Sequence, residues 1–176
     1  MKKLILGVML MALTMSFANA KTLIVYYSKT GGTRAIAEYI QKAVSADIFE
    51  IQPVVPYPEE YRATTEQAKK EINTGYRPAI KEKVTNLADY NTVFIGSPVW
   101  WGTIALPVTT FLAEHDLSDK TVIPFVTHGG GGISNVEKDI AKLAPRAALL
   151  PGQAFSGGAA EQDVVKWVNK VWKNKK

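Results

Sequence analysis

The stretch TLIVYYSKTGGTR, residues 22–34, decides the fold of this chain. Six strand-forming residues, Thr22–Tyr27, run into a loop of hydroxyls and glycines, and a helical pattern begins at about Thr33. The backbone N–H groups of such a loop and of the helix's first turn are unpaired and converge, and the helix dipole favours an anion there. The sequence therefore predicts a phosphate site made of six residues: Ser28, Lys29, Thr30, Gly31, Gly32 and Thr33.

The six loop residues have different expected roles. Gly31 and Gly32 let the backbone curl closely, while the three hydroxyl side chains add neutral donors. Lys29 contacts either the phosphate or only solvent, because hydroxyls and amides suffice for the anion. The alternative, a tight strand–helix turn without a ligand, does not require so many glycines and hydroxyls. The spacing G-x-x-x-x-G-K-[ST] is absent, which argues against a nucleotide triphosphatase.

The first twenty residues resemble a secretory signal peptide. Lys2 and Lys3 precede an apolar run, residues 4–18, and Ala18-Asn19-Ala20 is a typical cleavage signal. The run is shorter than the roughly 20 residues that a membrane span needs, although an uncleaved anchor is the alternative. We therefore expect export, to the bacterial periplasm, and no stable membrane insertion after cleavage. Residues 21–176 are expected to form one domain.

Composition excludes several classes of site. The chain has 176 residues, 47% of them hydrophobic and 21% charged, as in ordinary globular proteins. It has no cysteine, which excludes disulfides, thiolate metal sites and iron–sulfur clusters. With only His115 and His128 as histidines, no metal site is predicted. Without Lys2 and Lys3, 19 basic residues face 16 acidic ones, an excess too small to predict a nucleic-acid partner.

Strand and helix patterns alternate along the rest of the chain. Strands are predicted at Thr22–Tyr27, Asp47–Ile51, Thr92–Gly96, Thr121–Val126 and, in two pieces, Ala147–Leu150 and Gln153–Phe155. Helices are predicted at about Thr33–Val44, Glu59–Asn73, Pro107–His115, Ser134–Leu143 and Gln162–Lys173. Such alternation predicts an α/β fold, a three-layer sandwich whose five-stranded parallel sheet has helices on both faces.

Finer signals accompany these elements. Gly75 is expected to end the second helix, and Ser134 with Glu137 has the spacing of a capping box. Pro53–Lys83 is long for a connection, so we interpret it as a surface excursion near a site. Its tyrosines form either a lid over a ligand or ordinary packing: Tyr57, Tyr61 and Tyr76.

Three loops follow the first, third and fourth strands, at the sheet edge where open α/β sheets bind ligands. The second loop has six residues: Ser97, Pro98, Val99, Trp100, Trp101 and Gly102. The third begins with four: Thr127, His128, Gly129 and Gly130. Indoles can cover a flat ring, although adjacent residues face opposite ways and one tryptophan can belong to the core. A phosphate at one end and a flat heterocycle at the other describe flavin mononucleotide (FMN).

These three motifs, in this order, resemble those of the flavodoxin family over essentially all of residues 21–176. Gly32 stands where many members carry Asn. The resemblance implies strand order 2-1-3-4-5 and non-covalent FMN, its phosphate held by Ser28–Thr33 and its isoalloxazine by the other two loops.

The chain departs from acidic electron-carrying flavodoxins in its charges. Residues 97–111 and 120–136 contain no carboxylate, and Lys29 and His128 occur in the flavin loops. Because negative charge disfavours the anionic hydroquinone, we predict a less negative hydroquinone potential here. His128 either donates a proton or only borders the ring.

The leading hypothesis is an electron carrier in which no side chain is catalytic. Its partner would be a redox protein or a small-molecule electron acceptor. The alternative is an FMN-dependent NAD(P)H:quinone-type reductase, which would need an open pocket over the ring. A third hypothesis is a binding module without redox function.

Overall fold

The computed structural model describes residues 21–174, so the predicted signal peptide lies outside the described residues. Its strands are β1 (Lys21–Tyr26), β2 (Asp47–Glu50), β3 (Tyr90–Trp100), β4 (Thr103–Ile104), β5 (Thr121–His128), β6 (Ala148–Leu149) and β7 (Gln153–Ser156). Its α-helices are α1 (Gly32–Val44), α2 (Tyr61–Thr74), α3 (Leu106–Glu114), α4 (Val136–Leu143) and α5 (Glu161–Asn174). A short 3₁₀ helix covers Leu87–Asp89.

The sheet has the order β2-β1-β3-β5-β6, with these neighbours parallel. Strand β7 also pairs with β5, so β6 and β7 form one strand interrupted at Pro151-Gly152. Strand β4 only forms a hairpin with β3. With that hairpin set aside, the predicted order 2-1-3-4-5 is confirmed.

The sheet is covered by helices on both faces, which explains why its strands are apolar throughout. In β1, Leu23 and Val25 point to one core and Ile24 and Tyr26 to the other. Helices α3 and α4 cover the first core, and α1 and α5 cover the second. This sandwich holds the carboxyl ends of β1, β3 and β5 side by side. Among the described residues, no helix is both long and apolar enough to cross a membrane.

Two predicted loops begin later than expected. Strand β3 continues to Trp100, because Val99 and Trp100 pair with Ile104 and Thr103 of β4. The predicted loop from Ser97 to Gly102 is therefore mostly strand. Strand β5 continues through His128 because β7 supplies pairing partners for its last residues.

The predicted capping box is wrong. Helix α4 begins at Val136, and the Ser134 hydroxyl donates to the Gly131 carbonyl within the preceding turn. The Glu137 carboxylate accepts from the Gly152 N–H, so it ties α4 to the interrupted strand instead. The predicted helix end at Gly75 is confirmed, since Gly75 is left-handed and its N–H bonds to the Ile72 carbonyl.

Candidate functional site

A cavity of about 800 Å³ opens at the carboxyl edge of the sheet. It lies between the β1–α1 loop, the β3–β4 hairpin, the end of β5 and one face of α2. Its lining consists of Lys29, Thr30, Gly32, Glu59, Tyr61, Thr64, Thr65, Ala68, Pro98, Val99, Trp100, Trp101, Thr127, His128, Gly129 and Gly157. The three predicted loops therefore meet at one site.

The β1–α1 loop is held by hydrogen bonds from its backbone to the Ser28 side chain. The Ser28 hydroxyl accepts hydrogen bonds of 3.2 Å from the N–H groups of Gly31 and Arg34. Gly31 has φ = 90°, in the left-handed region that favours glycine. This turn places the start of α1 at the cavity, where first-turn N–H groups lack a preceding carbonyl to pair with. Ser28 and Gly31 thus shape the loop, while Thr30 and Gly32 line the cavity.

One hydrogen bond connects the first and third loops. The Thr33 and Thr127 hydroxyls lie 2.8 Å apart, and both side chains are buried. Gly157, in the turn after β7, lies opposite Gly32. The backbones of the two glycines approach each other closely, and both line the cavity. Sequence reasoning missed Gly157, although the Gly157-Gly158 pair after the last strand was the available signal.

Lys29 lines the cavity and is also bonded to the excursion. Its ammonium donates to the Tyr57 carbonyl at 3.3 Å, across the mouth of the cavity. Lys29 therefore connects the phosphate-type loop to the excursion that carries α2.

The hairpin that carries the tryptophans is a tight two-residue turn. Trp101 and Gly102 have φ values of 51° and 79°, as a type I′ turn requires. Helix α4 braces it, because the Asn135 N–H donates to the Gly102 carbonyl at 3.0 Å and the Thr103 hydroxyl donates to Asp139.

Ser97 supports this hairpin from within. It is buried, its hydroxyl accepts from the Ala105 N–H at 2.9 Å, and it donates to the Pro98 carbonyl. Ser97 therefore positions the aromatic loop and does not line the cavity.

The two tryptophans have different surroundings, although both line the cavity. Trp100 is half-buried and packs edge-on against Tyr27 and Tyr57, with centroids 5.6 and 4.9 Å away. Trp101 is 57% exposed, and its indole N–H donates to the Thr65 carbonyl at 2.9 Å. The Lys69 ammonium lies 4.7 Å from the Trp101 ring centroid. Trp100 is thus the tryptophan supported by the core.

Helix α2 supplies the wall opposite the sheet. Tyr61, Thr64, Thr65 and Ala68 follow helical spacing, so one face of α2 borders the cavity. Tyr61 is 81% exposed at the mouth, whereas Tyr57 is buried and Tyr76 is not among the lining residues. Of the three possible lid tyrosines, the structure brings only Tyr61 to the cavity surface.

A buried polar pair anchors this wall. The Tyr57 hydroxyl donates to the Glu71 carboxylate, which also accepts from Gln67 at 2.9 Å. Burial and the Glu71 carboxylate raise the pKa of Tyr57 well above its ordinary value of 10.0. Burial, with the charges of Glu50 and Glu71, likewise raises the pKa of Tyr27. Both phenols therefore stay protonated around neutral pH.

His128 offers a donor to the cavity. Its Nδ1 accepts from the Gly130 N–H at 2.9 Å, so the neutral ring carries its hydrogen on Nε2. Gly129 lines the cavity beside it, while Gly130 turns away with φ = 140°. No group of three or more His, Cys, Asp or Glu side chains in residues 21–174 has the geometry of a metal site.

Of the described residues that line the cavity, Glu59 is the one carboxylate. Sequence reasoning missed it because it lies in the excursion, far along the chain from the three loops. One end of the cavity thus offers neutral hydroxyl and amide donors, and the other offers aromatic and glycine surfaces. This set of donors fits a phosphate joined to a flat ring.

The chain matches the sequence profile of a flavodoxin family over residues 21–171. It is 34% identical to a flavoprotein from Bacteroides eggerthii, covering 87% of this chain and 98% of the other at a TM-score of 0.78. A Bacteroides uniformis flavoprotein is also 34% identical, with coverages of 85% and 98% and a TM-score of 0.79. A Lactobacillus acidophilus flavoprotein, solved in complex with FMN, is 26% identical, with coverages of 85% and 99% and a TM-score of 0.66. No curated protein matches the chain significantly.

Proposed function

We propose that this chain, which belongs to the flavodoxin family, transfers electrons through a non-covalently bound FMN. The observation that carries the proposal is the meeting of three loops at one cavity, with anion donors at one end and aromatic walls at the other. The FMN complex of the Lactobacillus acidophilus flavoprotein supports the same cofactor.

The start of α1 would hold the phosphate. The first-turn N–H groups that Ser28 does not engage, the Thr30 hydroxyl and the helix dipole all favour an anion, and no cation is needed in the cradle. Ser28 and the Thr33–Thr127 hydroxyl pair keep this end rigid. Lys29 contributes its charge from the side, since its ammonium is bonded to the Tyr57 carbonyl.

The hairpin and the end of β5 would hold the isoalloxazine. Trp100 and Trp101 supply flat apolar surface, and Gly129 lets the backbone approach ring heteroatoms without a side chain. His128, whose Nδ1 is engaged by the Gly130 N–H, would donate from Nε2 to a ring acceptor. When bound, the flavin supplies the redox chemistry. These residues bind and orient the ring and exclude water from it.

The decisive experiment is titration of flavin-free protein with FMN and with riboflavin, followed by tryptophan fluorescence and visible absorbance. We expect one FMN to bind per chain. Riboflavin should bind at least ten-fold more weakly, because it lacks the phosphate and its charge-assisted hydrogen bonds. Absence of FMN uptake would reject the proposal in favour of a module without redox function.

The α2 wall favours an NAD(P)H:quinone-type reductase as the second candidate. Tyr61, Thr64 and Thr65 border the cavity on the side away from the sheet, where a small acceptor would reach a bound ring. Steady turnover of NADH or NADPH with a quinone would support the reductase. Rapid electron exchange with a redox protein, without such turnover, would support the carrier.

We also propose export to the bacterial periplasm, from the signal-like residues 1–20. Fractionation of the native host and N-terminal sequencing would test this. A mature chain that begins at Lys21 in the periplasmic fraction is expected, and retention of residues 1–20 would contradict cleavage.

A further inference from the structure

Charge is distributed unevenly along the sequence. Residues 21–163 contain 14 basic and 16 acidic side chains, whereas residues 164–176 contain five lysines and no carboxylate. The net positive charge of residues 21–176 therefore resides in the final helix and the residues after it. The helix dipole acts only within the last turn, so it accounts for Lys173 but not for Lys166 and Lys170.

Three of these lysines share one face of α5. Lys166, Lys170 and Lys173 are spaced at i, i+4 and i+7, all are exposed, and they border one shallow groove. None of them has a carboxylate partner in the described part of the chain. The opposite face of α5 is buried in the core: Val164, Trp167, Val168 and Val171. The cationic face is therefore free to meet an anionic surface without disturbing the fold.

The lysine face and the cavity lie on different sides of the molecule, because α5 covers one face of the sheet and the cavity opens at the carboxyl edge. Helix α5 follows β7 and returns along the sheet, so it begins at the cavity edge and ends at the opposite edge. Trp172 stacks on Phe94, which places the last turn of α5 against the centre of the sheet. Helix α1 packs beside α5 and also ends at that edge, where Lys42 is exposed.

The carboxylates in the layer formed by α1 and α5 do not neutralise the charge of these lysines. Glu161 and Asp163 lie in the first turn of α5, and Glu38 lies on α1. Asp163 borders a second groove together with Lys166 and Lys170, where the two lysines outnumber it. Asp116 and Asp119 belong to the loop after α3, a helix that packs on the other face of the sheet. The last turns of α5 are thus locally cationic.

We propose that the face of α5 formed by Lys166, Lys170 and Lys173 holds the protein on an anionic lipid bilayer. An anionic bilayer attracts each nearby lysine by a factor of about five in affinity, so three aligned lysines act together. Because the apolar face of α5 is already buried, the contact is electrostatic and at the surface.

The composition of the groove favours a lipid over an acidic protein. Protein interfaces rely on aromatic and arginine anchors in desolvated pockets. The groove has neither, since its other lining residues are Gln162, Val165 and Asn169. A bilayer needs no such anchors, because it presents anionic headgroups across a whole plane.

The test is co-sedimentation of the chain from Lys21 to Lys176 with lipid vesicles. The part of this chain that the structure describes contains the complete sheet and both cores. Vesicles of phosphatidylcholine alone are compared with vesicles that also contain phosphatidylglycerol, with FMN present and absent. We expect binding only to the anionic vesicles, to the same extent with and without FMN, and release in about 1 M NaCl, where the Debye length is about 3 Å.

A charge-matched pair of variants makes the test specific to the face. K166Q/K170Q/K173Q is expected to bind anionic vesicles about 100-fold more weakly. K70Q/K138Q/K142Q removes the same charge from exposed lysines of α2 and α4 and is expected to bind within about three-fold of the parent. Circular dichroism and FMN uptake check that both variants fold. Equal losses in the two variants, equal binding to neutral vesicles, or capture by an acidic protein without lipid binding would each overturn the proposal.

Discussion

The two ends of the cavity are built in different ways. The phosphate end comes from contiguous residues, 28–33, whose turn is fixed by the Ser28 hydroxyl and by the left-handed Gly31. The ring end comes from segments far apart in sequence: the hairpin, the end of β5 and the excursion with α2. There, side chains do the positioning, as in the contacts of Trp101 with Thr65 and of Tyr57 with Glu71.

This difference predicts separable functions. A backbone cradle should recognise the phosphate alone, whereas a wall of side chains should recognise the ring whether or not a phosphate is attached. FMN and riboflavin distinguish these two contributions, because they share the ring.

The largest effect is expected at Gly31. Gly31→Val forces a β-branched residue to φ = 90° and displaces the first turn of α1. Loss of about two charge-assisted hydrogen bonds would weaken FMN binding about 100-fold. Riboflavin binding should change by less than about three-fold, since no phosphate contact is lost.

Gly75→Val is the matched control for Gly31→Val. Gly75 is also left-handed, with φ = 66°, and has open space around it at the end of α2. It should lower thermal stability by a similar amount but leave FMN affinity unchanged. Equal losses of FMN and riboflavin affinity in Gly31→Val would show that the two ends are not separable.

The next largest effect is expected at Trp101. Trp101→Ala removes a flat wall, so FMN and riboflavin should both bind about ten-fold more weakly. Tyr76→Ala is the control, because Tyr76 is a comparably exposed aromatic residue, in the excursion, that does not line the cavity. A loss confined to FMN would place Trp101 at the phosphate end instead.

Alkaline pH should destabilise the ring end through Tyr57. Its folded pKa is raised, so the unfolded chain loses this proton first as the pH passes 10. The free energy of unfolding should then fall with increasing pH by about 1.4 kcal/mol per unit from this group. Denaturant titrations between pH 9 and about 11 would measure the slope.

Tyr57→Phe should make that decline shallower. The stability of this variant at neutral pH should fall by about 1–3 kcal/mol, because Glu71 loses one of its two donors. Tyr61→Phe, at an 81% exposed site, should keep the parent slope. Identical slopes in all three proteins would contradict the raised pKa.

The smallest effect concerns the potential of the bound flavin. The cavity contains Lys29 and His128 but only one carboxylate, so we predict a less negative hydroquinone potential than in acidic flavodoxins. His128→Asp should lower it by about 50 mV, comparable to the 59 mV of a tenfold one-electron effect. Lys142→Gln, the same charge change on exposed α4, should shift it far less. Redox titration of the parent and of the two variants would measure these shifts in potential.

Local patterns predicted most of the fold. Apolar runs and helical spacing located the strands and α-helices, because burial on both sheet faces imposes a simple pattern. The errors came where long-range pairing overrides local signals. Ser97–Trp100 were predicted as loop, but β4 pairs with the end of β3, and β7 similarly extends β5 through His128.

The candidate site was predicted unevenly for the same reason. All three loops meet at the cavity, yet Glu59 and Gly157 were missed. The excursion and the glycine pair were visible in the sequence, but which of their residues reach the cavity depends on how distant segments pack. The different settings of Trp100 and Trp101 depend on a type I′ turn and on contacts with α2. The local sequence around the two tryptophans does not specify that turn or those contacts.

The sequence by itself determined the alternating α/β order, the phosphate-type loop and the cationic end of α5, because each depends on residues close together in the chain. Only the tertiary structure decided that Lys29 bonds to Tyr57, that Ser97 supports the hairpin, and that α2 closes the ring end. It also decided that the exposed lysines of α5 lie on a different side of the molecule from the cavity. These features join distant segments, and their geometry follows from how the layers pack.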